Sequence, residues 1–228
     1  LPTASNYFGP GHLKLKKLTD DGTTVISEDK DRKIIGRAQP KHVGGFSINT
    51  GYKGFDLTAM FNWSYGNDVY NANKIDNTTF SGSKKYQNMS SLMGIDNRFT
   101  TIDPVTGYNI MYGEYANPQR FQEVNQGKSL WHPLSNSTIV TDWAIEDGSF
   151  LRLGNLTLGY TLPDSVTKSG FVQKVRCYFT GNNLAIWTKY TGQDPEVDGI
   201  RNTPLTPGVD WSAYPKAKTF LFGVNVTF

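Results

Sequence analysis

TFLFGVNVTF occupies residues 219–228. Phe220, Phe222, Val224, Val226 and Phe228 fall on one side of an extended chain, and Thr219, Leu221, Gly223, Asn225 and Thr227 on the other, because successive β side chains point to opposite faces. The alternation runs past the length of about 5–6 residues common in globular strands. It matches the ~9–11 residues a tilted strand needs to cross a bilayer.

Four more segments share this pattern. Residues 55–65 place Phe55, Leu57, Ala59, Phe61, Trp63 and Tyr65 opposite Asp56, Thr58, Met60, Asn62 and Ser64. Residues 43–52 place Phe46, Ile48 and Tyr52 opposite Ser47, Asn49 and Gly51. Residues 173–187 set Val175, Cys177 and Phe179 against Lys174, Arg176, Tyr178 and Thr180. Residues 150–162 align Leu156, Leu158, Tyr160 and Leu162, but Leu151 and Leu153 fall out of phase, so a bulge or a contact inside a barrel is expected there. Asp56, Lys174 and Arg176 on the polar faces suit a wet lumen better than a packed core.

The connections alternate in length. Lys53-Gly54 and residues 163–172 are short; residues 66–149 and 188–217 are long. Short turns at one end and long loops at the other mark an outer-membrane barrel, and a soluble domain seldom carries so long a connection without structure. The fold class expected is all-β, a transmembrane antiparallel barrel with long extracellular loops. If residue 228 ends in the periplasm, then 1–42, 66–149 and 188–217 are extracellular and 43–228 holds the barrel strands. Five strands are too few to close a barrel, and their open edges would strand backbone groups in lipid. They are therefore expected to be part of a larger wall.

Composition removes other classes. With 23 Lys+Arg against 20 Asp+Glu and no basic block, nothing marks a nucleic-acid partner. No apolar run is long enough for a membrane helix, and a mean hydropathy of −0.46 does not argue against strands that hide a lipid face in alternation. Cys177 is the single cysteine and reads as a small residue of the apolar face. Residues 1–4 do not read as a signal peptide. His12, His42 and His132 have no metal-ligand spacing, and no GxSxG or spaced triad suggests catalysis. Neither an enzyme, nor a bound cofactor, nor a metal is expected. The Asn-x-Ser/Thr triplets at Asn77, Asn88, Asn136, Asn155 and Asn225 are read as chance matches.

EDGSFLRLGNLTLGYTLP (146–163), GNNLAIWTKYTGQDPEV (181–197), YKGFDLTAMFNWSYGNDVYNAN (52–73) and AYPKAKTFLFGVNVTF (213–228) together resemble the SusC/RagA family of TonB-dependent outer-membrane transporters of Bacteroidetes. The resemblance covers most of the chain from Ile34 onward. It implies the last five strands of a 22-stranded barrel, with the plug and TonB box upstream of this chain. It further implies import of glycan or peptide fragments, a SusD-like surface lipoprotein as lid, and energy from TonB. Residues 19–29 depart from the calcium-type loop seen in many members, because the alternating oxygen ligands are not kept. A barrel serving as adhesin or surface receptor is the alternative reading.

Individual residues carry paired readings. Phe220, Phe222, Val224, Val226 and Phe228 resemble the terminal signal used in barrel assembly. Trp63, Tyr65, Tyr160 and Phe220 fit an interfacial aromatic girdle. Tyr112, Tyr115, Trp131, Trp143, Trp187 and Trp211 are candidates to stack on substrate or meet the lid protein, or else to tie down long loops. Asp56, Lys174 and Arg176 either guide substrate or pair with a plug.

Overall fold

In the computed structural model, residues 10–27, 29–80, 86–134, 140–167, 172–196 and 207–228 are described. Residues 1–4, Glu28 of the acidic stretch and Asn136 lie outside them. The chain divides into two compact units, Leu1–Ile35 with Ala72–Ala144, and Gly36–Asn71 with Ile145–Phe228.

The second unit holds the long strands: β1 (His42–Tyr52), β2 (Phe55–Tyr65), β5 (Phe150–Thr161), β6 (Lys174–Thr188) and β8 (Thr219–Thr227). They form one antiparallel sheet in the order β1-β2-β5-β6-β8. Lys53 (φ 47°) and Gly54 (φ 87°) join β1 to β2, and Tyr52 faces Phe55 across the turn. Two positive-φ residues in a two-residue connection make the primed turn whose twist suits a hairpin. The short connections leave one end of the sheet and the long ones the other.

The phase break near Leu153 is a bulge. Leu151 and Leu153 face Trp63 and Phe61, while Leu156 and Leu158 face Ala59 and Leu57, and Gly154 is passed over. Because β2 runs unbroken, all four leucines share its apolar face. β6 adjusts at the same level, where Asn155 faces Asn182 and Leu153 faces Ala185. The extra Asn183 takes a left-handed φ of 52°, a conformation Asn tolerates.

A smaller sheet in the order β4-β3-β7 lies in the same unit, built from β3 (Asp68–Asn71), β4 (Ile145–Asp147) and β7 (Val209–Asp210). It uses the two ends of the 66–149 connection and part of 188–217. These strands run 4, 3 and 2 residues, too short to show alternation.

The first unit contains α1 (Ala72–Asp76), α2 (Pro118–Asn125) and short 3-10 turns at Ser91–Met93 and Asp142–Ala144. Asn117 caps α2 by accepting from the Arg120 amide, with Pro118 in its first turn, the residue types this position favours. Ile75, Met93, Ile110, Trp131 and Ala144 are buried. The middle of the 66–149 connection is therefore a folded body with its own core, not open loop. Among the described residues no helix is long and apolar enough to cross a membrane.

Candidate functional site

The long sheet has two chemically opposite faces. On one, Phe46 stacks on Phe61 at 4.7 Å, Phe55 meets Tyr160 at 4.4 Å, and Phe179 meets Phe222 at 4.8 Å and Phe220 at 5.9 Å. His42 stacks on Tyr65 at 5.0 Å and accepts a hydrogen bond from the Trp63 indole at 3.1 Å. These side chains are not covered: Phe222 is 79% exposed, and Phe220 and Val224 are each 61% exposed. Among the described residues only Ala59 and Phe150 of the long strands are buried apolar residues. A sheet so apolar on an open face lacks the covering layer that soluble sheets require. Tyr52, Phe55 and Tyr160 stand at the short-turn end; Trp63, Tyr65 and Trp187 stand at the long-connection end. The free thiol of Cys177 lies on this apolar side, across from Val224.

The other face is polar and cross-linked. Asn155 donates to Asn182 at 2.8 Å, and Asn182 donates to Thr219 at 3.0 Å. Thr157 and Thr180 share a hydrogen bond of 2.8 Å, and Thr58 donates to Asn49 at 2.9 Å. Nearer the short-turn end, the Arg176 guanidinium donates to both Asp56 oxygens, at 2.9 and 2.5 Å, and lies 5.2 Å from the Tyr178 ring centre. Lys174 stands two residues before Arg176 on the same face. Two of the three charges expected on this face thus hold each other.

At the long-connection end lies a group of buried polar residues. Arg152 is 5% exposed, and its register places it on the polar face beside Asn62 and Ile186. Arg152 donates to Asp194 at 2.6 Å, and its Nε lies 3.3 Å from Glu196 without hydrogen-bond alignment. Glu196 is shared with Lys216 at 2.6 Å. Buried Tyr190 donates to Asp210 at 2.6 Å, while the second Asp210 oxygen is buried with no hydrogen-bond partner among the described residues. Burial first, and then the bond to Asp210, push the Tyr190 phenol well above its ordinary range. Glu146 accepts from the Thr191 amide and hydroxyl at 2.8 Å. All but Asp210 fall within the stretches 146–163, 181–197 and 213–228, yet nothing in those stretches marks these side chains individually. A lone arginine in a strand and acids in a distant loop carry no fixed spacing.

The six candidate aromatics part company. Tyr112, Tyr115, Trp131 and Trp143 belong to the first unit, Trp187 and Trp211 to the second. Tyr115 stacks on Tyr108 at 4.1 Å with a 10° interplanar angle, and both are half exposed; Tyr112 is more so. Tyr108 stands on a short hairpin, residues 101–110, in which Ile102 pairs antiparallel with Asn109. Arg120 braces this tyrosine hairpin by donating to Asp103 at 3.0 and 3.1 Å and holds the Asp103 carboxyl below the usual carboxylate range. Trp131, in contrast, is 4% exposed and meets Trp143 edge-on at 4.7 Å, so it lies inside the unit rather than on its surface. Lys74 lies 4.4 Å from the Trp143 ring centre and donates to its carbonyl at 2.9 Å. Trp187 sits at a strand end on the apolar face, and Trp211 is exposed after β7. His132 accepts from the Leu134 amide, and burial lowers its basicity. Among the described residues no three His, Cys, Asp or Glu side chains converge as a metal site would need.

No family model matches the chain. Over 212 residues it is 30% identical to TonB-dependent receptor P3 of Formosa agariphila, an alignment covering 91% of this chain and 18% of that protein. Over 91 residues it is 38% identical to TonB-dependent receptor SusC of Bacteroides thetaiotaomicron, covering 39% of this chain and 8% of that one. The structure of the RagAB peptide transporter matches with a TM-score of 0.66 and 25% identity, over 90% of this chain and 19% of the other. The chain thus spans about a fifth of the length of the relatives it matches along most of its own length. Its homologues are named TonB-dependent receptor and SusC, and the RagAB transporter is its structural neighbour.

Proposed function

We propose that the long sheet is a stretch of the wall of an outer-membrane barrel, with the aromatic face in lipid and the polar face lining the lumen. The observation that carries this is the two-sidedness of the sheet: an exposed apolar face opposite a continuous polar, hydrogen-bonded one. Soluble sheets cover an apolar face, whereas barrel strands alternate lipid-facing and lumen-facing residues. β1 and β8 then continue into further strands of a barrel of about 22. Tyr52, Phe55 and Tyr160 form part of one interfacial girdle, and Trp63, Tyr65 and Trp187 part of the other. Phe220, Phe222, Val224, Val226 and Phe228 serve as the barrel-assembly signal.

With the short turns periplasmic, residues 1–42, 66–149 and 188–217 are extracellular. Tyr112, Tyr115, Trp143 and Trp211 are offered there to substrate or to a SusD-like surface lipoprotein. Asp56, Lys174 and Arg176 face the lumen, where a plug reached by TonB would sit. The whole protein then imports glycan or peptide fragments across the outer membrane. The relatives named TonB-dependent receptor, and the neighbour named a peptide transporter, support this reading.

The test is uptake in intact cells. Labelled oligosaccharides and labelled peptides are supplied to cells with and without the gene for the full-length protein, and with TonB disabled. Uptake of one class that is lost in both mutants is the expected result. Uptake of both classes unchanged, together with loss of adhesion or surface binding, would replace the transporter with an adhesin or receptor.

A further inference from the structure

An arginine on the water-facing side of a pore wall would ordinarily be well solvated. Arg152 is not: it is 5% exposed, although its register puts it on the polar face, between Asn62 of β2 and Ile186 of β6. Something must cover it, and its partners identify the cover. Asp194 and Pro195, just beyond β6, are themselves buried, and Asp194 accepts from Arg152 at 2.6 Å and from the Glu196 amide at 2.9 Å. The chain leaving β6 therefore does not rise straight away from the sheet. It turns back across the polar face.

The turn is anchored at three places. At its start, Tyr190 donates to Asp210 and Thr191 donates to Glu146, tying it to the small sheet. At its apex, Arg152 takes Asp194 in a bond between buried partners. At its far side, Glu196 stands between Arg152 and Lys216, which lies close to the start of β8. The first Arg152 contact is short and dry. The second is longer, misaligned and half in water, so the hold is graded.

We propose that Arg152 is a positioning residue which draws residues 189–196 across the polar face as a strap, narrowing the mouth of the lumen and so limiting the size of solute that passes. This rests on the barrel-wall reading above. Arg152 acts through Asp194 and Glu196; it is the strap that meets the solute.

The experiment uses the full-length protein in the outer membrane of cells, with Cys177→Ser as background and Asn62→Cys, at the register partner of Arg152, as reporter on the polar face. Two membrane-impermeant methanethiosulfonates are applied, one small and one carried on a bulky polymer. With Arg152 present, the bulky reagent is expected to react far more slowly than the small one. Arg152→Met is expected to raise the bulky-reagent rate about tenfold, the effect of opening a local structure by some 1.4 kcal/mol, with a much smaller change for the small reagent. Glu196→Gln, at an exposed position that does not endanger folding, is expected to raise it a few-fold in the same selective way. Equal acceleration of both reagents would mean that Arg152 merely stabilises the fold, and no change in either variant would mean that no strap restricts entry; either overturns the proposal. A parallel reporter, Val224→Cys, tests the underlying reading separately. If it reacts with the small reagent as fast as Asn62→Cys, the apolar face is not in lipid, and the wall and the strap fall together.

Discussion

Asp56 and Arg176 form a two-pronged ion pair although the strand between them separates their own strands. Asp56 lies on β2 and Arg176 on β6, and both strands hydrogen-bond to β5 rather than to each other. The pair must reach over two strand spacings, about 9–10 Å. It does so directly above Gly159, whose register partners are Asp56 and Tyr178. A methyl group at position 159 would overlap an Asp56 oxygen and the Arg176 guanidinium, so the bridge depends on the residue that is not there to block it.

Gly159→Ala is therefore expected to undo the same interaction as Asp56→Asn. Both partners are partly exposed, so losing the pair costs about 1 kcal/mol, and the alanine adds crowding of the order of 1–3 kcal/mol. Chemical unfolding of the full-length protein in detergent checks this through a double-mutant cycle. The two losses should be clearly less than additive; full additivity would show that the glycine serves some other end.

The Tyr190–Asp210 pair sets an alkaline limit. Tyr190 ionises above its ordinary value of 10.0 because it is buried and donates to Asp210. A group with a raised folded-state pKa stabilises fully below its unfolded value, and that contribution is lost as pH rises beyond it. Stability should thus fall as pH climbs above 10.0. Tyr190→Phe should flatten this limb while costing about 1–3 kcal/mol near neutrality, because a buried carboxylate oxygen loses its donor. Thermal melts between pH 8 and about 11 compare the two proteins; an unchanged alkaline slope would contradict the assignment.

Acid should loosen the tyrosine hairpin of the first unit. Arg120 holds Asp103 below its ordinary value of 3.8. A depressed carboxyl contributes its stability above that value and loses it as pH falls below. Protease cleavage within residues 104–107 should therefore rise on acidification through pH 3.8. Asp103→Asn should show the loosened state already at neutral pH, with the acid dependence removed.

The β1–β2 turn offers a local test. Gly54→Ala places a side chain where φ is 87° and where it would crowd the Thr161 carbonyl at 2.8 Å. A loss of about 1 kcal/mol or more is expected. Lys53→Asn, at φ 47°, should be neutral or slightly stabilising, since Asn accepts the left-handed region. Refolding midpoints in detergent micelles read both, and equal tolerance of the two changes would argue against the primed turn.

The long strands were legible because alternation is a local signal: residues 55–65 and 219–227 alone show their two faces. Even the bulge left a trace, since Leu151 and Leu153 sit out of phase with Leu156. Placing it at Gly154 required the register of β2, which no local pattern records. The pairs that organise the site were not legible. Asp56 and Arg176 stand 120 residues apart, and Arg152 and Asp194 stand 42 apart; only pairing across β5 and the return of the chain after β6 bring them together. Trp131 shows the opposite difficulty. An aromatic residue in a long connection suggests a surface contact, yet that connection folds on short helices and turns whose periodicity is too brief to detect, and it buries the tryptophan.

In a barrel wall the two faces of β8 meet different solvents, and spin-label accessibility along that strand tests this division most directly. Single nitroxides at residues 220 through 226, in the Cys177→Ser full-length protein reconstituted in bilayers, would be probed with oxygen and with a water-soluble nickel complex. The predicted result alternates residue by residue: oxygen reaches 220, 222, 224 and 226, and nickel reaches 221, 223 and 225. A flat profile, with both reagents excluded or admitted equally along the strand, would contradict it.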